Sequence, residues 1–300
     1  MPAYQQGSEI AAVTAAGVSP RFYEGDDELR PDERELAGLL DERVRALYLI
    51  HYLGFPQDAP RWRRWCHERG LMLIEDAAQS WLAQHELGPV GSFGDLAIFC
   101  LYKMVGLWSG GAAVSTTHLS PAVDAPRAGL RDLARAHAAW VEQHRDIRGI
   151  AGKRVPPTPE IDPEDEFTLG DPDAPPTRAA TFAIPRLAVP AVAERRRANY
   201  RRLLAELGDL VPPPFDRLPD GASPLQLPVR TPDKARTLAV LAHHGVEGAK
   251  AWPVGHPSLS ATHFPRAEVR RRSTVGLPVH HGLGERELVR VIAAARAALG

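Results

Sequence analysis

Residues 71–103 read LMLIEDAAQSWLAQHELGPVGSFGDLAIFCLYK. An apolar run, Leu71 to Ile74, ends in Glu75-Asp76-Ala77-Ala78-Gln79. A second apolar run, Leu96 to Leu101, leads to a lone lysine, Lys103. Short apolar runs of this kind read as strands buried on both faces, the pattern of a parallel sheet. Working outward, Ala46 to Ile50 reads as another such strand, ending at His51, and Ala59 to Arg69 as a helix stopped by Gly70. Strands alternating with helices of this length imply an α/β fold, with a mostly parallel central sheet covered by helices. Asp76 and Lys103 both fall at carboxyl ends of strands, the edge at which such sheets place ligands.

An acid and a lysine at neighbouring strand ends are the pair that pyridoxal phosphate chemistry requires. The lysine forms a Schiff base with the carbonyl, and the acid keeps the ring nitrogen protonated so that the ring acts as an electron sink. Composition sharpens this reading. Of 36 basic residues only Lys103, Lys153, Lys234 and Lys250 are lysines, so arginine carries nearly all the plain surface charge. Arginine stays protonated and cannot attack a carbonyl. The competing readings are a solvated lysine closing an edge strand and, for Asp76, a turn acid or helix cap.

The bulk properties narrow the class. A hydrophobic content of 44% supports a substantial core, and a net charge of -1 excludes a broad electrostatic attraction to nucleic acid or an anionic membrane. Cys66 and Cys100 form no disulfide framework, which points to a reducing compartment. No apolar run approaches the ~18 residues of a membrane span. The first residues, MPAYQQGSEI, lack the basic-then-apolar pattern of a secretory signal. The expectation is a cytoplasmic protein with neither a nucleic acid nor a membrane as partner. His256, His280 and His281 lack metal-ligand spacing with a third group, so no metal site is expected.

Further elements follow from local signals. Ser8 is expected to cap a helix over Glu9 to Ala16 with Gly17 as its stop, and Pro20 to Tyr23 reads as a short strand. Asp32 is expected to cap a helix to about Leu40. Gly110-Gly111 leads into a strand, Ala112 to Ser115, and a long helix is expected from Pro121 to Glu142. Residues 154–177 are rich in proline and acid and read as an exposed loop. Beyond it come a helix Val189 to Leu207, a strand Leu225 to Val229, a helix Pro232 to His244, a strand Val275 to Val279 and a helix Glu285 to Leu299. The charged run Glu194-Arg195-Arg196-Arg197 reads as a solvated helix face, with an anion site as the alternative. Residues 1–120 would form an incomplete cofactor-binding large domain. Residues 121–183 would link it to a smaller α/β domain over 184–300.

Several of these segments resemble, in order, the DegT/DnrJ/EryC1/StrS sugar aminotransferases. They are AAGVSPRFYEGD (15–26), HYLGFPQD (51–58), IEDAAQS (74–80), VGSFGD (90–95), GG (110–111), RRRANYRRLL (195–204) and an HP…FP…LPVHHGL pattern over 256–283. The resemblance implies the fold-type I pyridoxal-phosphate transferase fold. It implies an aminotransferase acting on a nucleotide-linked keto sugar, with glutamate or glutamine as donor, in amino-sugar or polysaccharide biosynthesis. A homodimer sharing its active sites is implied as well. Lys103 would be the Schiff-base lysine and proton carrier, Asp76 the partner of the pyridinium nitrogen, and Gln79 a neighbour of the phenolic oxygen. His51 would lie near the pocket, and Cys100 would stand where the family has a phosphate-binding serine.

Three departures accompany the resemblance. The family's phosphate-binding SGTxAL-type segment has no counterpart in Met1 to Pro20, so the chain is expected to begin inside the large domain. The run Phe99-Cys100-Leu101-Tyr102-Lys103 is shorter than the family's FSFxxxK. The asparagine that normally crosses the dimer to the phosphate has no counterpart near residues 165–185. An alternative therefore stands beside the enzyme: a truncated or degenerate, non-catalytic relative serving as a structural or dimerisation partner.

Overall fold

A computed structural model describes residues 1–106, 110–117, 167, 169, 178–187, 189–246, 252 and 254–300. Among these, the helices in chain order are α1 (Ser8–Ala15), α2 (Glu33–Leu39), α3 (Ala59–His67), α4 (Leu101–Val105), α5 (Arg178–Leu187), α6 (Pro190–Leu207), α7 (Lys234–His243), α8 (Pro265–Ser273) and α9 (Glu285–Leu299). The strands are β1 (Ala46–Ile50), β2 (Met72–Asp76), β3 (Gln84–His85), β4 (Gly88–Pro89), β5 (Leu96–Cys100), β6 (Gly111–Ser115), β7 (Gln226–Arg230) and β8 (Thr274–Pro278).

The central sheet has the order β1-β2-β5-β6. The first three strands run parallel, and β6 pairs antiparallel with β5. Register places Ile50 beside Asp76 and Asp76 beside Ile98, so three strand ends form one edge. Strand alternation sends successive side chains to opposite faces. Leu47, Leu49 and Leu73 pack on one face with Trp62, Trp65 and Cys66 of α3. Tyr48 and Ile50 pack on the other, in a core that continues to Tyr200, Leu203 and Leu227. Burial on both faces is what the unbroken apolar runs encode. The antiparallel pair β7–β8, its register set by Gln226 beside Pro278, lies in that second core.

Local capping agrees with sequence in part. The Asp32 carboxylate accepts from the Arg34 and Glu35 backbone N–H groups at 2.9 Å each, opening α2 as expected. Asp32→Ala should lower unfolding stability by about 1 kcal/mol; an unchanged melting curve would show that α2 is held by Leu36 burial alone. Ser8, by contrast, is the first helical residue rather than the cap. Gly7 occupies the cap at φ 118, and the Glu9 carboxylate reaches back to its N–H at 3.0 Å. The expected strand at Pro20 to Tyr23 reduces to one bridge, Pro2 to Tyr23, because only that residue finds a paired backbone.

The strand leading to the lysine stops at Cys100. Leu101 N–H turns to the Gly110 carbonyl at 2.9 Å, and the chain enters α4 until Gly106, at φ 70, ends it. Lys103 thus stands in a single helical turn beyond the strand end. The expected helix Pro121 to Glu142 and the loop 154–177 lie outside the described residues, apart from Phe167 and Leu169. Helices α5 and α8 carried no signal that was read from sequence. The arginine run also departs from expectation. Val192, Arg196, Asn199, Tyr200, Leu203 and Leu207 form the buried stripe of α6. Their spacing is that of one helical face, which puts Arg196 inside although Arg195 and Arg197 flank it.

Candidate active site

The two acids at the end of β2 have opposite surroundings because they face opposite sides of the sheet. Asp76 shares a face with Tyr48 and Ile50, and is 3% exposed. Its Oδ2 accepts from the Tyr48 hydroxyl at 2.8 Å and its Oδ1 from the Ala78 N–H at 2.9 Å. Burial pushes the Asp76 carboxyl above the ordinary aspartate range. The two hydrogen bonds and the nearby Lys103 charge oppose that push without cancelling it. Glu9 of α1 interacts electrostatically with both Asp76 and Lys103, and burial pushes its carboxyl up as well.

Glu75 faces the other way and is wholly buried. Its Oε2 accepts from His51 Nε2 and from Gly91 N–H, each at 3.0 Å. Its Oε1 accepts from Phe93 N–H at 2.7 Å and from Gly94 N–H. His51 Nδ1 in turn accepts from the Gln57 N–H at 3.0 Å. An imidazole that accepts at Nδ1 and donates from Nε2 is the neutral tautomer. Burial pushes the Glu75 carboxyl up, but the bonds from His51, Gly94 and Gly91 together hold it below its ordinary value of 4.5. Asp95 completes this latch by accepting from Leu73 N–H at 2.8 Å and from Arg63. Gly91 sits at φ 86, where a Cβ would meet the Phe99 ring at 2.3 Å, so the turn admits only glycine.

Lys103 is half-buried, and among the described residues no hydrogen bond to its ammonium is found. Its charge acts on Asp76, Glu9 and Cys100. The turn that carries it is clamped from α6. Arg196, 2% exposed, donates from Nη2 at 2.9 Å and from Nε at 3.3 Å to the carbonyl of Met104. Its Nη1 reaches the carbonyls of Pro224 at 3.1 Å and Leu225 at 3.3 Å. Cys100 ends β5 as a free thiol, and burial raises it above the ordinary cysteine value.

The residues singled out in the sequence therefore gather at one edge, in distinct roles. Asp76 and Lys103 lie within electrostatic reach of each other, with Cys100 beside the lysine turn. Gln79 is buried, and its Oε1 accepts from Leu53 N–H at 2.9 Å, tying the turn after β2 to the one after β1. His51 has both ring nitrogens engaged by protein, and its own N–H and carbonyl hold Asp76 O and Ser80 Oγ. Sequence reasoning missed Glu9, Tyr48 and Arg196. A polar-tipped tyrosine inside an apolar strand, and an arginine on the apolar stripe of a helix, were the available signals.

Comparison with known proteins agrees with this arrangement. The model of the DegT/DnrJ/EryC1/StrS aminotransferase family matches residues 1–121. The UDP-N-acetyl-3-dehydro-alpha-D-glucosamine 3-aminotransferase of Acidithiobacillus ferrooxidans is 29% identical over 152 residues, covering 50% of this chain and 40% of the relative. The dTDP-4-dehydro-2,3,6-trideoxy-D-glucose 4-aminotransferase of Saccharopolyspora spinosa is 33% identical over 94 residues, covering 31% of this chain and 24% of the relative. The chain thus spans less than half the length of these relatives. Among solved structures, the aminotransferase TlmJ from Streptoalloteichus hindustanus superposes with a TM-score of 0.70 at 22% identity, covering 99% of this chain and 77% of that one. The aminotransferase PseC of Helicobacter pylori gives a TM-score of 0.70 at 16% identity, covering 99% and 78%. These neighbours show the fold expected from the sequence, that of the fold-type I pyridoxal-phosphate transferases. Strand order, motif-bearing strand ends and the family match converge: residues 1–121 match the DegT/DnrJ/EryC1/StrS aminotransferase family, and these relatives and structural neighbours are aminotransferases.

Proposed function

We propose that the protein is a pyridoxal-phosphate-dependent aminotransferase that acts on a nucleotide-linked keto sugar with glutamate or glutamine as amino donor. One observation carries the reading: a buried Asp76, held by Tyr48 and Ala78, lies within electrostatic reach of a lysine that lacks a hydrogen-bond partner among the described residues. These two groups fit the cofactor at its ring nitrogen and its carbonyl. When bound, pyridoxal phosphate supplies an electron sink for the carbon that gains or loses the amino group. Asp76 provides the anionic acceptor that favours a proton on the ring nitrogen. Lys103 Nζ would be the nucleophile toward the cofactor's carbonyl and the group that holds and moves the proton at the reacting centre.

The other site residues follow by resemblance. Gln79 would border the phenolic oxygen. Cys100 would face the phosphate as a weak donor. His51, whose ring nitrogens are occupied, would act through the Asp76 strand end. The nucleotide-sugar names of the relatives support the substrate class. The family resemblance supports a homodimer with shared sites and a cytoplasmic setting. A non-catalytic relative is the second reading, favoured by Cys100 at the serine position and opposed by the intact Asp76 and Lys103.

Adding pyridoxal phosphate to the purified chain tests the proposal. A near-visible absorbance band that is absent in Lys103→Ala is expected, followed by bleaching of that band with glutamate or glutamine. A band that persists in Lys103→Ala would remove the lysine from its role. No band in the unaltered protein would favour the non-catalytic reading.

A further inference from the structure

Asp76 is not the lone acid of its site. Glu9, on α1, lies close enough for each carboxylate to raise the other's proton affinity, and Lys103 is the cation that both feel. Two like charges sharing one buried site do not ionise independently, and each hydrogen bond to an anionic form favours that form. Glu9 has two such bonds, both from the backbone: Gly7 N–H at 3.0 Å and its own N–H. Asp76 has two, from Ala78 N–H at 2.9 Å and from Tyr48 Oη at 2.8 Å.

The tyrosine is built for this contact. Register sets Tyr48 beside Ile74 and Ile50 beside Asp76, so the phenol runs along the sheet face to the acid one pair further on. Tyr23 Oη donates to the Tyr48 carbonyl at 3.0 Å, fixing the backbone from which the ring projects. Tyr48 is itself buried, and burial together with the Asp76 and Glu9 charges pushes its phenol well above 10. It therefore stays protonated at neutral pH and donates to Asp76. Lys103 differs, because its charge must change as its nitrogen takes part in the proposed reaction. His51, beyond β1, lies on the opposite face, where its ring nitrogens are taken up by Glu75 Oε2 and the Gln57 N–H.

We propose that Tyr48 is a positioning residue: its hydroxyl orients the Asp76 carboxylate and favours its ionised form, independently of the state of Lys103. The inference rests on the proposed function only for the statement that Asp76 meets the ring nitrogen of the cofactor.

The test uses cofactor-free protein. The chain is labelled with ¹³C at aspartate and glutamate carboxyls, the Asp76 signal is assigned with Asp76→Asn and the Glu9 signal with Glu9→Gln, and both are titrated. Tyr48→Phe should raise the Asp76 midpoint by about one pH unit and lower the Glu9 midpoint, while the melting temperature changes little. An unmoved Asp76 midpoint in folded Tyr48→Phe overturns the proposal. Two further variants answer the same question should Tyr48→Phe not fold. Glu9→Gln should lower the Asp76 midpoint, and Asp76→Asn should let the Tyr48 phenol titrate at lower pH. Failure of both overturns the proposal equally. Because no cofactor is present, absence of a pyridoxal phosphate band would sink the aminotransferase reading and leave these titrations standing.

Discussion

Glu75→Gln should lower the unfolding free energy by about 3–5 kcal/mol, although the substitution changes one atom and removes one charge. The Glu75 carboxylate is the acceptor for four donors: His51 Nε2 and the N–H groups of Gly91, Phe93 and Gly94. An amide has a single acceptor oxygen. Its NH₂ would point at two of those donors in a site without solvent, and each buried donor left facing another costs about 1–3 kcal/mol. Denaturant unfolding measures the change, and a loss under about 1 kcal/mol would show that the 91–94 turn is held by its own geometry instead.

The same substitution has a pH signature. Because the folded-state carboxyl sits below its ordinary value, its contribution is fully present above 4.5 and is lost as pH falls through the lower, folded-state value. The gap between the original protein and the glutamine variant should therefore narrow as pH drops below 4.5. A gap that stays constant or widens into acid would contradict the hydrogen-bond account.

Arg196→Ala should be the second large loss, about 2–4 kcal/mol, with a local consequence that a simple core truncation would not have. The guanidinium is buried without a carboxylate partner among the described residues, and burial lowers it to about 10, so it remains charged at neutral pH. Its charge is balanced by carbonyl dipoles alone: Met104 twice, Pro224 and Leu225. Removing it leaves a cavity and takes the donor from the carbonyl that follows Lys103. Amide exchange at Met104, Val105 and Gly106 should speed up by more than the global loss of stability requires. Lysine cannot substitute, because a compact ammonium lacks the planar fork that spans both groups of carbonyls. Uniform acceleration across the chain would show that Arg196 stabilises the core generally and does not fix the lysine turn.

The segments that carry the resemblance also build the architecture. In IEDAAQ the aspartate is the proposed site acid, while the glutamate locks onto the GSFGD turn. In GSFGD, Asp95 holds the β2 backbone at Leu73. Gln79 and His51 likewise spend polar atoms on neighbouring turns. The RRRANYRRLL segment looked like a solvated charged face because three arginines stand together. Reading positions 192, 196, 199, 200, 203 and 207 as one stripe would have placed Arg196 inside.

From the sequence alone come strands β1, β2 and β5, their parallel sense, and the arrival of Asp76 and the lysine segment at one edge. Strand period and burial are local properties, and the alternation that separates Glu75 from Asp76 is already written in adjacent letters. The tertiary structure alone decided what each of them meets. Tyr48 reaches Asp76 across 28 positions, and Arg196 reaches Met104 across 92. Such contacts depend on how strands register and helices pack, and many distant side chains satisfy the same local pattern. Only the folded chain selects the partner that leaves each buried charge hydrogen-bonded.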